Sequence, residues 1–203
     1  MGKVLTDPLY PAVWEALHET REPLLDVGCG MGVLAFYLRE RGWEAPCTCM
    51  DVDRQKIAVA QRIQHRWPGS IRFLAGDAAQ GLPEHRGSVT FLDLLQYFSH
   101  EAQQFLLAEA ASRVSEDGVL IIRNAMVGTG GRHGITKVLD RVARWMRWMS
   151  VVPKDYPDRT NVCDTLAAQG LHGGFQPLWG RTPFHNWLGV FRRAPQPANL
   201  IRA

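Results

Sequence analysis

The sequence predicts an α/β fold: a doubly wound sheet, mostly parallel, that finishes in an antiparallel C-terminal hairpin. Three observations carry this. Short apolar runs alternate with segments of helical periodicity from Leu24 to Asn124, the pattern of successive βαβ units. The first run, Leu24–Val27, leads into a corner of three glycines, Gly28, Gly30 and Gly32, and then into a helical segment. Near the C-terminus, GFQPLWGR and PFHNWLGVFRR read as two strands joined by a very short connection.

Taken in order, Asp7 and Pro8 mark a helix start, and LYPAVWEALHE continues it until Arg21, Glu22 and Pro23 break the pattern. After the first strand and its glycine corner, VLAFYLRERG is a helix stopped by Gly42. Ala45–Val52 reads as the second strand and Arg54–Trp67 as the second helix of the alternating unit, with Ile57, Ala60, Ile63 and Gln64 at helical spacing and Asp53 as its plain N-cap. SIRFLAGDA and SVTFLDLL are the third and fourth strands; Ser99 caps the helix that follows; VLIIRNA is a fully apolar fifth strand ending at Arg123 and Asn124. Beyond it, Val127–Gly134 reads as a glycine-rich connection, and Ile135, Val138, Leu139, Val142, Met146 and Met149 form an apolar helical stripe. VCDTLAAQGL is a short helix closed by Gly170.

The chain of 203 residues, with 46% hydrophobic and 21% charged residues, has the length and composition of one ordinary globular domain. Its net charge of +3 is too small to argue for nucleic acid. The excess is local: Arg132 to Arg159 holds seven basic residues against three aspartates. Cys29, Cys47, Cys49 and Cys163 show no paired C-x-x-C spacing, and reduced structural thiols in a cytoplasmic protein are expected. No apolar run is long enough to span a bilayer, and no membrane partner is expected.

In open α/β sheets a ligand sits outside the carboxyl ends of the strands, and four strands here end in an aspartate: Asp26, Asp51, Asp77 and Asp93. Asp51 lies about 20 residues past the glycines, where a carboxylate can take two ribose hydroxyls. The glycine spacing is G-x-G-x-G, whereas a dinucleotide-binding turn places its third glycine where Val33 stands.

The stretch LLDVGCGMG resembles motif I of the class I S-adenosylmethionine-dependent methyltransferases. That resemblance covers Leu24 to Asn124. It implies a Rossmann-like seven-strand sheet, a single methyltransferase domain over 1–203, a cofactor-binding core at 24–124 and an acceptor side at 125–203. It also implies that Asp26 with Gly28, Gly30 and Gly32 holds the methionine part of S-adenosylmethionine, that Asp51 holds the ribose, and that Asp77 with Ala78 holds the adenine; Asp93 completes the cofactor set. No metal is expected. After the fourth strand, DLLQYF departs from the Asn/Asp-Pro-Pro-Tyr/Phe signature of many amino and nucleic-acid-base methyltransferases, which disfavours an exocyclic amine as acceptor; no nucleic-acid partner is expected.

Candidate residues on the acceptor side are Tyr97, His100, Arg123, Asn124, His133 and Trp148. His133, on the connection leaving the fifth strand, and Tyr97 are the candidates for catalysis. His100 equally suits a surface histidine on a first helical turn, and His185 a structural one. Arg123 at the end of an apolar strand needs a partner, either a strand-end aspartate or an anionic group of the substrate. Trp148 suits a lid, or packing with the methionine stripe. The tail PLWGRTPFHNWLGVFRR resembles that of methyltransferases accompanying aryl-polyene pigment biosynthesis, which implies an aromatic small-molecule acceptor methylated on oxygen or carbon, carried by an acyl carrier protein. A nicotinamide-dependent oxidoreductase and a non-catalytic methyltransferase-like binding module are the alternatives.

Overall fold

The computed structural model describes residues 7–67, 70–127, 153–179 and 186–194. Helix α1 (Leu9–Leu17) comes first, then β1 (Leu24–Val27), α2 (Val33–Glu40), β2 (Cys47–Asp51), α3 (Arg54–Gln64), β3 (Ile71–Ala75), β4 (Ser88–Leu92), α4 (His100–Arg113) and β5 (Leu120–Ala125). Helix α5 (Arg159–Ala168) and the strands β6 (Leu171–Pro177) and β7 (Asn186–Arg193) follow. The seven strands form one sheet in the order β3-β2-β1-β4-β5-β7-β6. The first five are parallel, and β7 pairs antiparallel with both β5 and β6. This is the seven-strand sheet with a terminal antiparallel hairpin that the sequence predicts.

Alternation along the strands divides the core between two faces. Leu25, Val27, Val89, Phe91, Leu120 and Ile122 pack under α4 and α5. Leu24, Cys47, Cys49, Phe73 and Ile121 pack under α1, α2 and α3. Cys47 and Cys49 lie on the same face, buried, with their sulfurs 3.5 Å apart, as small apolar groups would. By the same alternation, Asp26 and Arg123 point toward the α1 face at the carboxyl end of the sheet, where α1 covers it.

The caps explain the helix starts. Asp7 Oδ1 accepts from the Leu9 N–H at 3.1 Å, Asp53 accepts from the Gln55 and Lys56 N–H groups, and Ser99 accepts from Ala102. Helix α5 and strand β6 both begin three residues earlier than the sequence suggests. Helix α5 begins at Arg159 because Asp158 accepts from the Thr160 and Asn161 N–H groups at 2.9 and 3.1 Å. Strand β6 begins at Leu171, so Gly173 and Gly174 lie inside it. A Cβ on Gly173 would stand 2.0 Å from the Val190 carbonyl oxygen, so close strand pairing, and not a turn, demands that glycine. The expected basic helix over Ile135–Met149, its glycine-rich approach from Gly128 on, and the hairpin connection lie outside the described residues.

Candidate functional site

A cavity of about 700 Å³ opens at the carboxyl ends of β1, β2, β3 and β4. Its walls include Asp26, Gly28, Gly30, Asp51, Asp77 and Asp93. The four strand-end aspartates singled out in the sequence therefore share one cavity.

Each is held differently. Asp51 Oδ2 accepts from the Gly30 N–H and Oδ1 from the Asp53 N–H, both at 2.8 Å, which ties the end of β2 to the glycine corner. A carboxylate offers about four lone-pair sites, so two remain for a ligand. Asp77 is exposed, and its Oδ1 accepts from the Ala79 N–H at 2.9 Å. Asp26 is 2% exposed and accepts from the Thr90 hydroxyl at 2.7 Å. Burial pushes its carboxyl up to about 6; the Thr90 hydrogen bond opposes the rise and the Asp51 charge adds to it.

The glycines divide their work. Gly30 has φ +57°, and a Cβ there would meet nothing within 4 Å, so its backbone borders open space in the cavity. Gly32 has φ +76°, and a Cβ there would lie 2.5 Å from the Phe73 ring. Its glycine is required by helix packing on β3, and Gly32 is not among the cavity walls.

On the acceptor side Tyr97 lines the cavity, with Leu94, Phe98 and Ser99 beside it. Other expected contacts are elsewhere. Ala78 faces the core under α4, and its neighbour Ala79 lines the cavity instead. His100 is exposed on the first turn of α4, outside the cavity wall. Arg123 is 3% exposed and forms ion pairs with Asp7 at 2.8 Å and with Asp93, which answers its need for partners from within the protein. Asn124 is fully buried and donates to Gln96 Oε1 at 3.3 Å and to the Ala125 carbonyl at 3.0 Å. His133, Trp148 and His185 lie outside the described residues.

Tyr10 is a wall residue that sequence reasoning missed. It stands on α1 beside Tyr37, ring centroids 5.6 Å apart, and lines the cavity. Burial and then the charges of Asp26, Asp93 and Asp7 push its phenol up to about 12. The sequence signal was an aromatic three residues past a helix cap, visible but without an address until α1 is placed over the sheet.

A family profile described as "Methyltransferase domain" matches residues 24–118. Residues 24–118 carry a methyltransferase domain. The methyltransferase match spans β1 to the turn before β5, which holds every cavity aspartate. A curated relative, the ribosomal RNA large subunit methyltransferase G of Vibrio cholerae, is 36% identical over 72 residues, 34% of this chain and 19% of that protein. The chain therefore matches about a fifth of that relative's length. Among solved structures, an O-methyltransferase family protein from Burkholderia thailandensis superposes with a TM-score of 0.71 at 17% identity, covering 94% of this chain and 56% of the other. Magnesium protoporphyrin IX methyltransferase from Synechocystis PCC 6803, solved with bound S-adenosylhomocysteine, superposes with a TM-score of 0.68 at 20% identity, covering 92% and 82%. These likenesses establish a shared methyltransferase fold.

Proposed function

We propose that the chain transfers a methyl group from S-adenosylmethionine to a small-molecule acceptor. The observation that carries this reading is the convergence of Asp26, Asp51 and Asp77 with Gly28 and Gly30 on one cavity. The residues present fit the donor: Gly30 leaves space where any side chain would intrude, and Asp26 is a buried carboxylate facing the cavity with Thr90 as its side-chain donor. Asp51 would hold the ribose hydroxyls, Asp77 the adenine amine, and Asp26 the cationic methionine portion. When bound, S-adenosylmethionine supplies a methyl already activated on a sulfonium with its own leaving group. The protein's contribution is then chiefly to position and to exclude water. Tyr97, at the cavity wall, is the described residue suited to orient an acceptor hydroxyl.

The O-methyltransferase family protein and the magnesium protoporphyrin IX methyltransferase support a small-molecule acceptor by likeness of fold. An aromatic acceptor and delivery by an acyl carrier protein rest on the tail and on the basic segment Arg132–Arg159, most of which lies outside the described residues. The test is formation of S-adenosylhomocysteine with a panel of phenols and aryl acids, with Asp51→Ala as control. Donor that binds without turnover on any acceptor would favour a non-catalytic binding module, and binding of a nicotinamide cofactor in its place would favour the oxidoreductase. A ribosomal RNA acceptor is the second reading, favoured by the 36% identity to the Vibrio cholerae enzyme. It requires RNA binding that weakens steeply with salt.

A further inference from the structure

The ion pairs at the end of β5 tie the N-terminal helix to the cavity. Arg123 donates from one guanidinium nitrogen to Asp7 Oδ2 at 2.8 Å and from another to Asp93. Asp7 also accepts from the Leu9 N–H at the start of α1, and Leu9 and Tyr10 line the cavity. Asp93 lines the cavity too, and holds a left-handed backbone conformation with φ 59°. That conformation costs a non-glycine residue about 1 kcal/mol, so its neighbours must hold it. The Asp93 N–H donates to the Arg123 carbonyl at 2.7 Å. One arginine thus fixes Asp93 through both backbone and side chain, and fixes the start of α1 through Asp7.

Three carboxylates, Asp7, Asp26 and Asp93, act on Tyr10, and its buried phenol keeps its proton throughout the working pH range. Such a group donates a hydrogen bond and does not act as a base. If Asp51 and Asp77 take the nucleoside, as in the function proposed above on which this inference rests, the end walled by Tyr10, Asp26 and Asp93 is left for the amino-acid portion.

We infer that Arg123 is a positioning residue, which by pairing with Asp7 and Asp93 together seats Tyr10 against the amino-acid portion of the donor, where the phenol donates to its carboxylate. Arg123 itself touches no ligand. Its fork is what the task needs, because one lysine ammonium cannot bridge two separate carboxylates with the same geometry.

The test compares two ligands by calorimetry: S-adenosylhomocysteine, and 5′-methylthioadenosine, which keeps the nucleoside and sulfur but lacks the amino-acid portion. Tyr10→Phe removes only the hydroxyl. Asp7→Asn removes a charge from the bridge yet keeps a side chain able to cap α1, so folding is retained. Both variants are expected to lose about fivefold in affinity for S-adenosylhomocysteine, the size of one hydrogen bond, and to bind methylthioadenosine as wild type does. Arg123→Lys is expected to show the same selective loss. Equal losses for both ligands would mark a general packing role and overturn the inference, as would no loss for either. Wild-type protein that binds neither ligand would instead overturn the donor assignment, and the inference with it.

Discussion

Lowering the pH should weaken donor binding through a single carboxyl, Asp26. This group is 2% exposed, and burial raises it to about 6 from an ordinary 3.8. Its ionised form is the one that attracts the ammonium group of the ligand's amino-acid portion. Near pH 7.5 the carboxyl is almost wholly ionised, and at pH 5 only about a tenth of it is, so affinity should fall about tenfold between them. Among the described residues no histidine lines the cavity to mimic this. The stability consequence has the opposite sense. The folded protein holds the Asp26 proton more tightly than the unfolded chain does, so stability is greatest below about pH 4 for this group. It declines by about 3 kcal/mol as pH rises to 6 and above. The assay is calorimetric titration of S-adenosylhomocysteine from pH 5 to 7.5 in two buffers of different ionisation enthalpy, with Asp26→Asn alongside. Wild type should release a proton on binding near pH 6, and the variant should bind weakly with a flat profile. A wild-type affinity unchanged over this range would refute the role given to Asp26.

Asp51→Ala should abolish measurable donor binding in the same titration while thermal unfolding stays cooperative, since the lost side chain holds the Gly30 and Asp53 amides and not the core. Gly30→Ala and Gly32→Ala should part company. The first puts a methyl into open cavity and should weaken donor binding; the second drives a Cβ to 2.5 Å from Phe73 and should lower stability by about 2 kcal/mol in urea melts. Arg123→Met would leave the nearly buried Asp7 carboxylate unpaired, and should cost about 3–5 kcal/mol of stability by the same method.

The parallel half of the sheet was legible because its strands are short, mostly apolar runs, and three of them lead into segments of helical periodicity. Asp53 and Ser99 could be read as caps since a cap works within three residues. Asp26, Asp51 and Asp77 could be read as a site because the fold class alone brings carboxyl ends of parallel strands together. Features resting on distant partners could not be read. Arg123 needed a partner, but nothing local shows that one lies 116 residues away at Asp7. Gly173 lies just before the strand the sequence suggests, which starts at Gly174, and only pairing with β7 makes it strand. Ala78 and Ala79 differ by which neighbour faces the core, which depends on the short helical turn at Ala78–Gln80. Ile63 fits the helical spacing of α3 but is 37% exposed, whereas Ile57 and Ala60 of the same helix are buried.

A crystal structure grown with S-adenosylhomocysteine tests the central claim most directly. The ligand should lie in the cavity beside Gly30, with its ribose hydroxyls on the Asp51 carboxylate and its adenine amine facing Asp77. Density for the ligand in any other place, or in this cavity with its ribose away from Asp51, would contradict the account.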